Sequence, residues 1–350
     1  MKTFNVGALR QAIGGLQFNG ANDLVERTLA QHGLTMPGQA GGFQMPSFPA
    51  TGMQPQTQTP PIKPGASFKA DLFTCAAGSR DYMVYVPSTA SQGAQGLVLM
   101  LHGCTQTHAD FARGTGMNDL AEQHRLIVVY PQQSRGDNAQ SCWNWFSIGD
   151  QRRGRGEPEI LAQMARQMAR DHKVPQDRVF AAGLSAGAAM AVILGQTHPD
   201  VFAAIGAHSG LPFGAARDVP GAFAAMGGTG AADPAPRKDA APTPAIVFHG
   251  SADRTVHPLN GERIAADTLA AGPDQSVVDK TAARSGGRGH TRQITTTLDG
   301  QVLVEHWLID GLGHAWSGGR AGGSYTDPNG PDASAEMVRF FLGQPRRTTQ

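Results

Sequence analysis

Short runs that are apolar from end to end recur along this chain, and they constrain its fold more than any other feature. Gly96–Leu101 (G-L-V-L-M-L) and Leu126–Tyr130 (L-I-V-V-Y) carry no polar face at all. Arg178–Leu184 (R-V-F-A-A-G-L), Ala203–Ala207 and Ala245–His249 (A-I-V-F-H) are nearly as apolar. A strand can be apolar on both sides only where both faces of its sheet are covered, as in parallel sheets flanked by helices. The intervening segments supply such helices. Ala109–Gln123 suits one, Pro158–His172 places Ile160, Leu161, Met164 and Met168 on one side, and Ala186–Gln196, Leu259–Ala271 and Ala333–Leu342 follow. Tyr82–Pro87 and Val302–Ile309 add further strands. The expected architecture is α/β, with a mostly parallel central sheet and helices on both faces.

The chain divides by composition. Residues 1–35 read as an N-terminal helical segment, with Leu24, Val25, Leu29 and Leu34 spaced for one apolar face. Residues 36–65 are dominated by Pro, Gly, Gln and Thr and read as a linker. Residues 66–344 form the expected catalytic domain. Two stretches within it, 211–243 and 273–294, fit no element well, being rich in Gly, Ala, Pro and charge. The first suits a lid or a surface loop equally. Of the 350 residues, 16% are charged and the net charge is +1, so no basic excess points to nucleic acid or an anionic membrane. No run of 18 apolar residues occurs, and no transmembrane helix is expected. The first residues lack a recognisable secretion signal, which makes the cytoplasm the default expectation. Three cysteines without C-x-x-C spacing give no zinc site, and neither a metal nor another cofactor is expected.

The strongest chemical signal is Gly183–Leu184–Ser185–Ala186–Gly187, a G-x-S-x-G sequence between a strand and an Ala-rich helix. That context is the turn on which a nucleophilic serine is held above a sheet. A serine nucleophile needs a base and an orienting acid, and in this arrangement they follow in the order acid, then histidine. Asp253 lies just beyond the strand Ala245–His249, in H-G-S-A-D-R-T-V. His314 lies beyond the last strand, in G-L-G-H-A-W. His257 is a rival base that more plausibly positions the Asp253 loop. His249 and His306 fit structural roles, and Asp310 is a rival acid disfavoured by its closeness to His314. An oxyanion hole needs two backbone N–H donors. Ala186 supplies one, and Cys104, in H-G-C-T-Q after the strand Val98–Leu101, is the best placed to supply the other. Trp143 and Trp145, in S-C-W-N-W-F, suit either an apolar substrate groove or a cluster that pins the loop. With Trp316 they are the candidate substrate contacts.

Taken together, H-G-C-T-Q, S-C-W-N-W-F, G-L-S-A-G, H-G-S-A-D-R-T-V-H-P-L-N-G and G-H-A-W-S-G-G resemble the poly(3-hydroxybutyrate) depolymerase family of esterases, over roughly residues 66–343. The tail G-S-Y-T-D-P-N-G-P-D-A-S is similar too. The resemblance implies an α/β-hydrolase fold and hydrolysis of carboxylic esters, small or polymeric, with Ser185, Asp253 and His314 at the triad positions. It also implies Cys104 as an oxyanion donor and a disulfide between Cys104 and Cys142, leaving Cys75 unpaired. The family includes secreted members, which stands against the cytoplasmic default. The wider group includes feruloyl and acetylxylan esterases, which remain an alternative, as does a non-catalytic binding protein of the same fold.

Overall fold

Leu97, Leu99 and Leu101 point to one side of the central sheet, and Val98 and Met100 to the other. This period of two, repeated in neighbouring strands, gives the protein two apolar layers instead of one. The computed structural model describes residues 62–230, 242–273 and 276–346, all within one unit, Pro55–Gln350. The helical segment and nearly all of the linker expected before residue 66 lie outside the described residues.

The elements run β1 (Ser67–Cys75), β2 (Gly78–Val86), β3 (Gly96–Leu101), α1 (His108–Thr115), α2 (Met117–His124), β4 (Leu126–Pro131), α3 (Gly156–Asp171), β5 (Val179–Leu184), α4 (Ala186–Thr197), β6 (Ala204–His208) and α5 (Val219–Met226). They continue with β7 (Ala245–Gly250), α6 (Leu259–Ala270), β8 (Ser276–Ser285), β9 (Arg288–Thr297), β10 (Val302–Ile309), β11 (Trp316–Ser317), β12 (Thr326–Asp327) and α7 (Ala333–Gly343). A ten-stranded sheet has the order β1-β2-β4-β3-β5-β6-β7-β10-β9-β8. The six strands from β4 to β10 in that order are parallel. Each edge is finished by antiparallel strands. Helices α3 and α4 contribute to one apolar layer, and α1, α2 and α7 to the other.

Two expectations are corrected. The helix expected over 109–123 is broken into α1 and α2 at Gly116, which has φ 64°. The left-handed conformation favours a residue without Cβ there, and a side chain would also have to displace the Arg320 guanidinium. Residues 273–294, expected to lack regular structure, supply β8 and most of β9, an antiparallel hairpin paired from Ser276↔Thr297 to Ser285↔Arg288. Inside 211–243, α5 occupies Val219–Met226, and 231–241 lie outside the described residues. No helix among the described residues is long and apolar enough to cross a membrane.

Candidate active site

The carboxyl ends of parallel strands are where open α/β sheets collect functional loops, and the residues singled out from the sequence gather there. Ser185 follows β5, Cys104 follows β3, Asp253 follows β7 and His314 follows β10. Ser185 has φ 58° and ψ −121°, a conformation that costs a non-glycine residue roughly 1–3 kcal/mol. Close packing holds it there. A Cβ on Gly183 would strike the Gly187 backbone, and one on Gly187 would strike the carbonyls of Leu101 and His102. The two glycines of G-L-S-A-G therefore let β5, α4 and the end of β3 touch backbone to backbone. Ser185 N–H donates to His208 O at 2.9 Å, and Ser185 O accepts from Ala189 N–H at 3.0 Å. The side chain is left half-buried at the start of α4, whose N-terminal end favours negative charge.

Asp253 is buried, and every polar contact of its carboxylate is a donor or an imidazole. Oδ1 accepts from Thr255 N–H at 3.0 Å and Val256 N–H at 2.9 Å. Oδ2 lies 2.8 Å from His314 Nδ1 and 3.6 Å from His249 Nε2. Burial opposes its charge, but the hydrogen bond and charge of His314, with His249 and the Val256 N–H, hold the carboxyl down at about 2. The pair fixes Nδ1 of His314 as the protonated nitrogen and leaves Nε2 as the basic one.

The remaining histidines separate clearly from His314. His257 is exposed, and its Nδ1 accepts from Leu259 N–H at 3.2 Å, next to the start of α6. His249 is fully buried, with Nε2 bonded to Val256 O at 2.8 Å. Burial lowers His306 to about 4. Asp310 is exposed and makes no contact with His314 among the described residues.

The loop after β3 is braced on every side. Gly103 N–H donates to Gln106 Oε1 at 2.9 Å, and Thr105 N–H to Gln140 O at 2.8 Å. Cys104 N–H, between them, has no acceptor among the described residues. Ala186 is the first residue of α4, so its N–H also lacks an intrahelical acceptor. Two free donors thus flank the serine, one on the loop after β3 and one at the start of α4. A disulfide joins Cys104 to Cys142, with Cα atoms 4.3 Å apart, and Cys75 is free.

The three tryptophans assigned to substrate contact are placed elsewhere. Trp143, Trp145 and Trp316 are 0%, 5% and 1% exposed and pack in the core. Trp143 donates its indole N–H to His102 O at 3.1 Å, and Trp316 donates to Ser334 Oγ at 3.0 Å. Trp143 and Trp316 are thus buried with their single polar atom satisfied. Half-buried apolar side chains at this edge are instead Cys142 and Phe146, on the loop after β4, and Phe213, on the loop after β6.

Two further residues of the site were not singled out as candidates in the sequence. His208, at the end of β6, is buried and held at about 3 by that burial. It receives Ser185 N–H on its carbonyl and Ser317 N–H on Nε2 at 3.0 Å, so it ties the serine turn to the chain just beyond His314. Tyr325 stands edge-on to the His314 ring, with centroids 6.5 Å apart. His208 could have been marked only by its place at a strand end, whereas Tyr325 lies in the tail G-S-Y-T-D-P-N-G-P-D-A-S that shares in the family resemblance.

Comparison with known proteins gives the family and the fold. A family model described as esterase PHB depolymerase matches residues 80–295. Poly(3-hydroxyalkanoate) depolymerase C of Paucimonas lemoignei is 37% identical over 248 residues, 68% of this chain and 58% of that protein. Poly(3-hydroxybutyrate) depolymerase of Ralstonia pickettii is 27% identical over 67% of this chain and 50% of its own length. The chain therefore spans little more than half the length of these relatives. Acetylxylan esterase A of Aspergillus oryzae (strain ATCC 42149 / RIB 40) is 28% identical over 51% of the chain and 62% of that protein. Among solved structures, the acetyl xylan esterase from Aspergillus awamori superposes with a TM-score of 0.58 at 19% identity, covering 79% of this chain and 98% of that one. The fold is that of the α/β-hydrolases.

Proposed function

Because the chain belongs to the esterase PHB depolymerase family, we propose that it is a serine carboxylester hydrolase that works through an acyl-enzyme. The observation that carries this reading is the 2.8 Å bond between Asp253 and His314 Nδ1, set at the same sheet edge as a serine in a strained turn. Nε2 of His314 takes the Ser185 proton as Oγ attacks the ester carbonyl. Asp253 holds the imidazole in the required tautomer and stabilises the imidazolium. The N–H groups of Cys104 and Ala186 receive the negative charge that develops on the carbonyl oxygen. His314 then protonates the departing alcohol, and a water molecule activated by the same imidazole releases the acid and frees Ser185.

The substrate class is esters of short hydroxyalkanoic acids, including oligomers and polymer of the polyhydroxybutyrate type. The depolymerase relatives support this, and Phe146 and Phe213 supply apolar surface for an acyl chain on loops beside the site. The acetylxylan esterase relatives favour acetylated sugars as the second reading. A fluorophosphonate probe should label Ser185 and no other serine, as read by peptide mass. A panel of 3-hydroxybutyrate oligomers, acetylated xylan and feruloyl esters then ranks the substrates. An unlabelled protein, or a label elsewhere, would overturn the assignment.

A further inference from the structure

Tyr325 bridges the two halves of the site. Its ring stands at 76° to the His314 imidazole, and its hydroxyl lies 3.2 Å from Thr105 Oγ1, the residue after Cys104. Thr105 Oγ1 also lies 2.6 Å from Cys104 O. A carbonyl only accepts, so the single Thr105 hydroxyl proton is committed to Cys104 O, and the Tyr325 phenol must be the donor in the other contact. The protons therefore run in one direction, from Tyr325 O–H to Thr105 Oγ1 and from Thr105 O–H to Cys104 O. With Thr105 N–H held by Gln140 O, both polar groups of the Cys104–Thr105 peptide are fixed. Thr105 and Tyr325 both have positive φ, 65° and 52°, which is costly for residues of these types. The Tyr325 backbone is pinned as well, its O accepting from Trp316 N–H at 2.7 Å. Its neighbour Ser324 receives the Gln106 amide at 3.0 Å on its carbonyl.

We propose that Tyr325 is a positioning residue of the esterase site, whose phenol, acting through Thr105, fixes the peptide immediately after Cys104 and so the backbone of the residue that carries the oxyanion donor, while its ring stands edge-on to His314. This rests on the esterase reading given above. The relay steadies the residue whose N–H is used when charge develops, so its loss should lower kcat and leave KM nearly unchanged.

The test is a double-mutant cycle on p-nitrophenyl butyrate with Tyr325→Phe, Thr105→Ala and the double variant, with Ser185→Ala as control. Tyr325→Phe keeps the ring and removes the proton. Losing a whole oxyanion donor costs about 10²–10³ in kcat, so misaiming one should cost about tenfold. The double variant should be no worse than Thr105→Ala alone, because both substitutions break one chain. Ki for a boronic acid, which mimics the tetrahedral state, should rise by the same factor as kcat/KM falls, with the melting temperature unchanged. An unchanged kcat in Tyr325→Phe, or losses that multiply, would overturn the relay. Should Tyr325→Phe fail to fold, Thr105→Ser against Thr105→Ala carries the test, since serine preserves the relay and should retain wild-type kcat; equal losses in both would overturn it. If hydrolysis survives in Ser185→Ala, the esterase reading falls and this inference with it. If that control is inert and Tyr325→Phe is fully active, this inference alone falls.

Discussion

Asp253 shows how burial and hydrogen bonding compete at a single carboxylate. Desolvation pushes its pKa up, yet two backbone donors and two imidazoles hold it well below neutrality. Asp253→Asn keeps the shape but presents an amide to His314, which favours the wrong tautomer. Its kcat should fall by about 10⁴ with little change in folding; a loss under tenfold, measured on the same ester, would remove Asp253 from its role. His257→Ala should keep kcat within a few-fold, since the ring only accepts one backbone N–H at the start of α6. At this scale the sequence was informative where chemistry demands a motif. Ser185, Asp253 and His314 each sit in a short, ordered pattern that places a functional loop after a strand. The tryptophans were misplaced because type and spacing show that a ring is needed in a loop, not which side it faces. His208 and Tyr325 act through contacts with residues distant in sequence, and no local pattern encodes those.

Between strands, the loop from β4 to α3 is anchored by one buried acid. Glu157 accepts from Asn144 N–H and Nδ2, each at 2.8 Å, from the Gln133 amide, and from Arg80 at 3.3 Å. Gln133 in turn donates to Cys142 O at 2.9 Å, and Cys142 is bonded to Cys104. Burial raises Glu157 from an ordinary 4.5 to about 7, with nearby Asp150 adding to the rise while Asn144, Arg80 and Gln133 oppose it. A folded-state value raised in this way means that the native protein binds more protons than the unfolded chain between pH 4.5 and 7. The contribution of Glu157 to stability is therefore complete below pH 4.5 and is lost as pH rises to 7, by roughly 3 kcal/mol. The melting temperature of wild type minus that of Glu157→Gln should shrink across that range; a difference that stays constant or grows would contradict it. Cys142→Ser opens a loop of 38 residues and should cost roughly 3–4 kcal/mol by chain entropy, read from urea unfolding under non-reducing conditions. Among the elements, the buried parallel strands were legible because they are apolar on both faces. The β8–β9 hairpin was not, because its residues from Val278 to Gly287 are exposed and it is defined by pairing rather than by an apolar face. The break at Gly116 was hidden as well, since Arg320, which fills the space, comes two hundred residues later.

At the scale of the molecule, six parallel strands each deliver a connection to one edge, and their helices seal both faces. This division explains why the fold class followed from alternation alone, while the reach of each loop required three dimensions. Residues 36–65 have a composition that buries little apolar surface. We expect a chain beginning near Gly65 to remain soluble and to hydrolyse soluble esters at the full-length rate. An insoluble or inactive product would show that residues 1–35 belong to the catalytic unit. The central claim, that ester hydrolysis proceeds through an acyl group on Ser185, is tested most directly by stopped-flow hydrolysis of p-nitrophenyl butyrate by wild type and Ser185→Ala. The expected result is release of p-nitrophenol by wild type with an acylated Ser185 trapped on acid quench, and a loss of about 10⁴- to 10⁶-fold in Ser185→Ala at unchanged melting temperature. Hydrolysis at the wild-type rate by Ser185→Ala, or acyl label on any other residue, would contradict it.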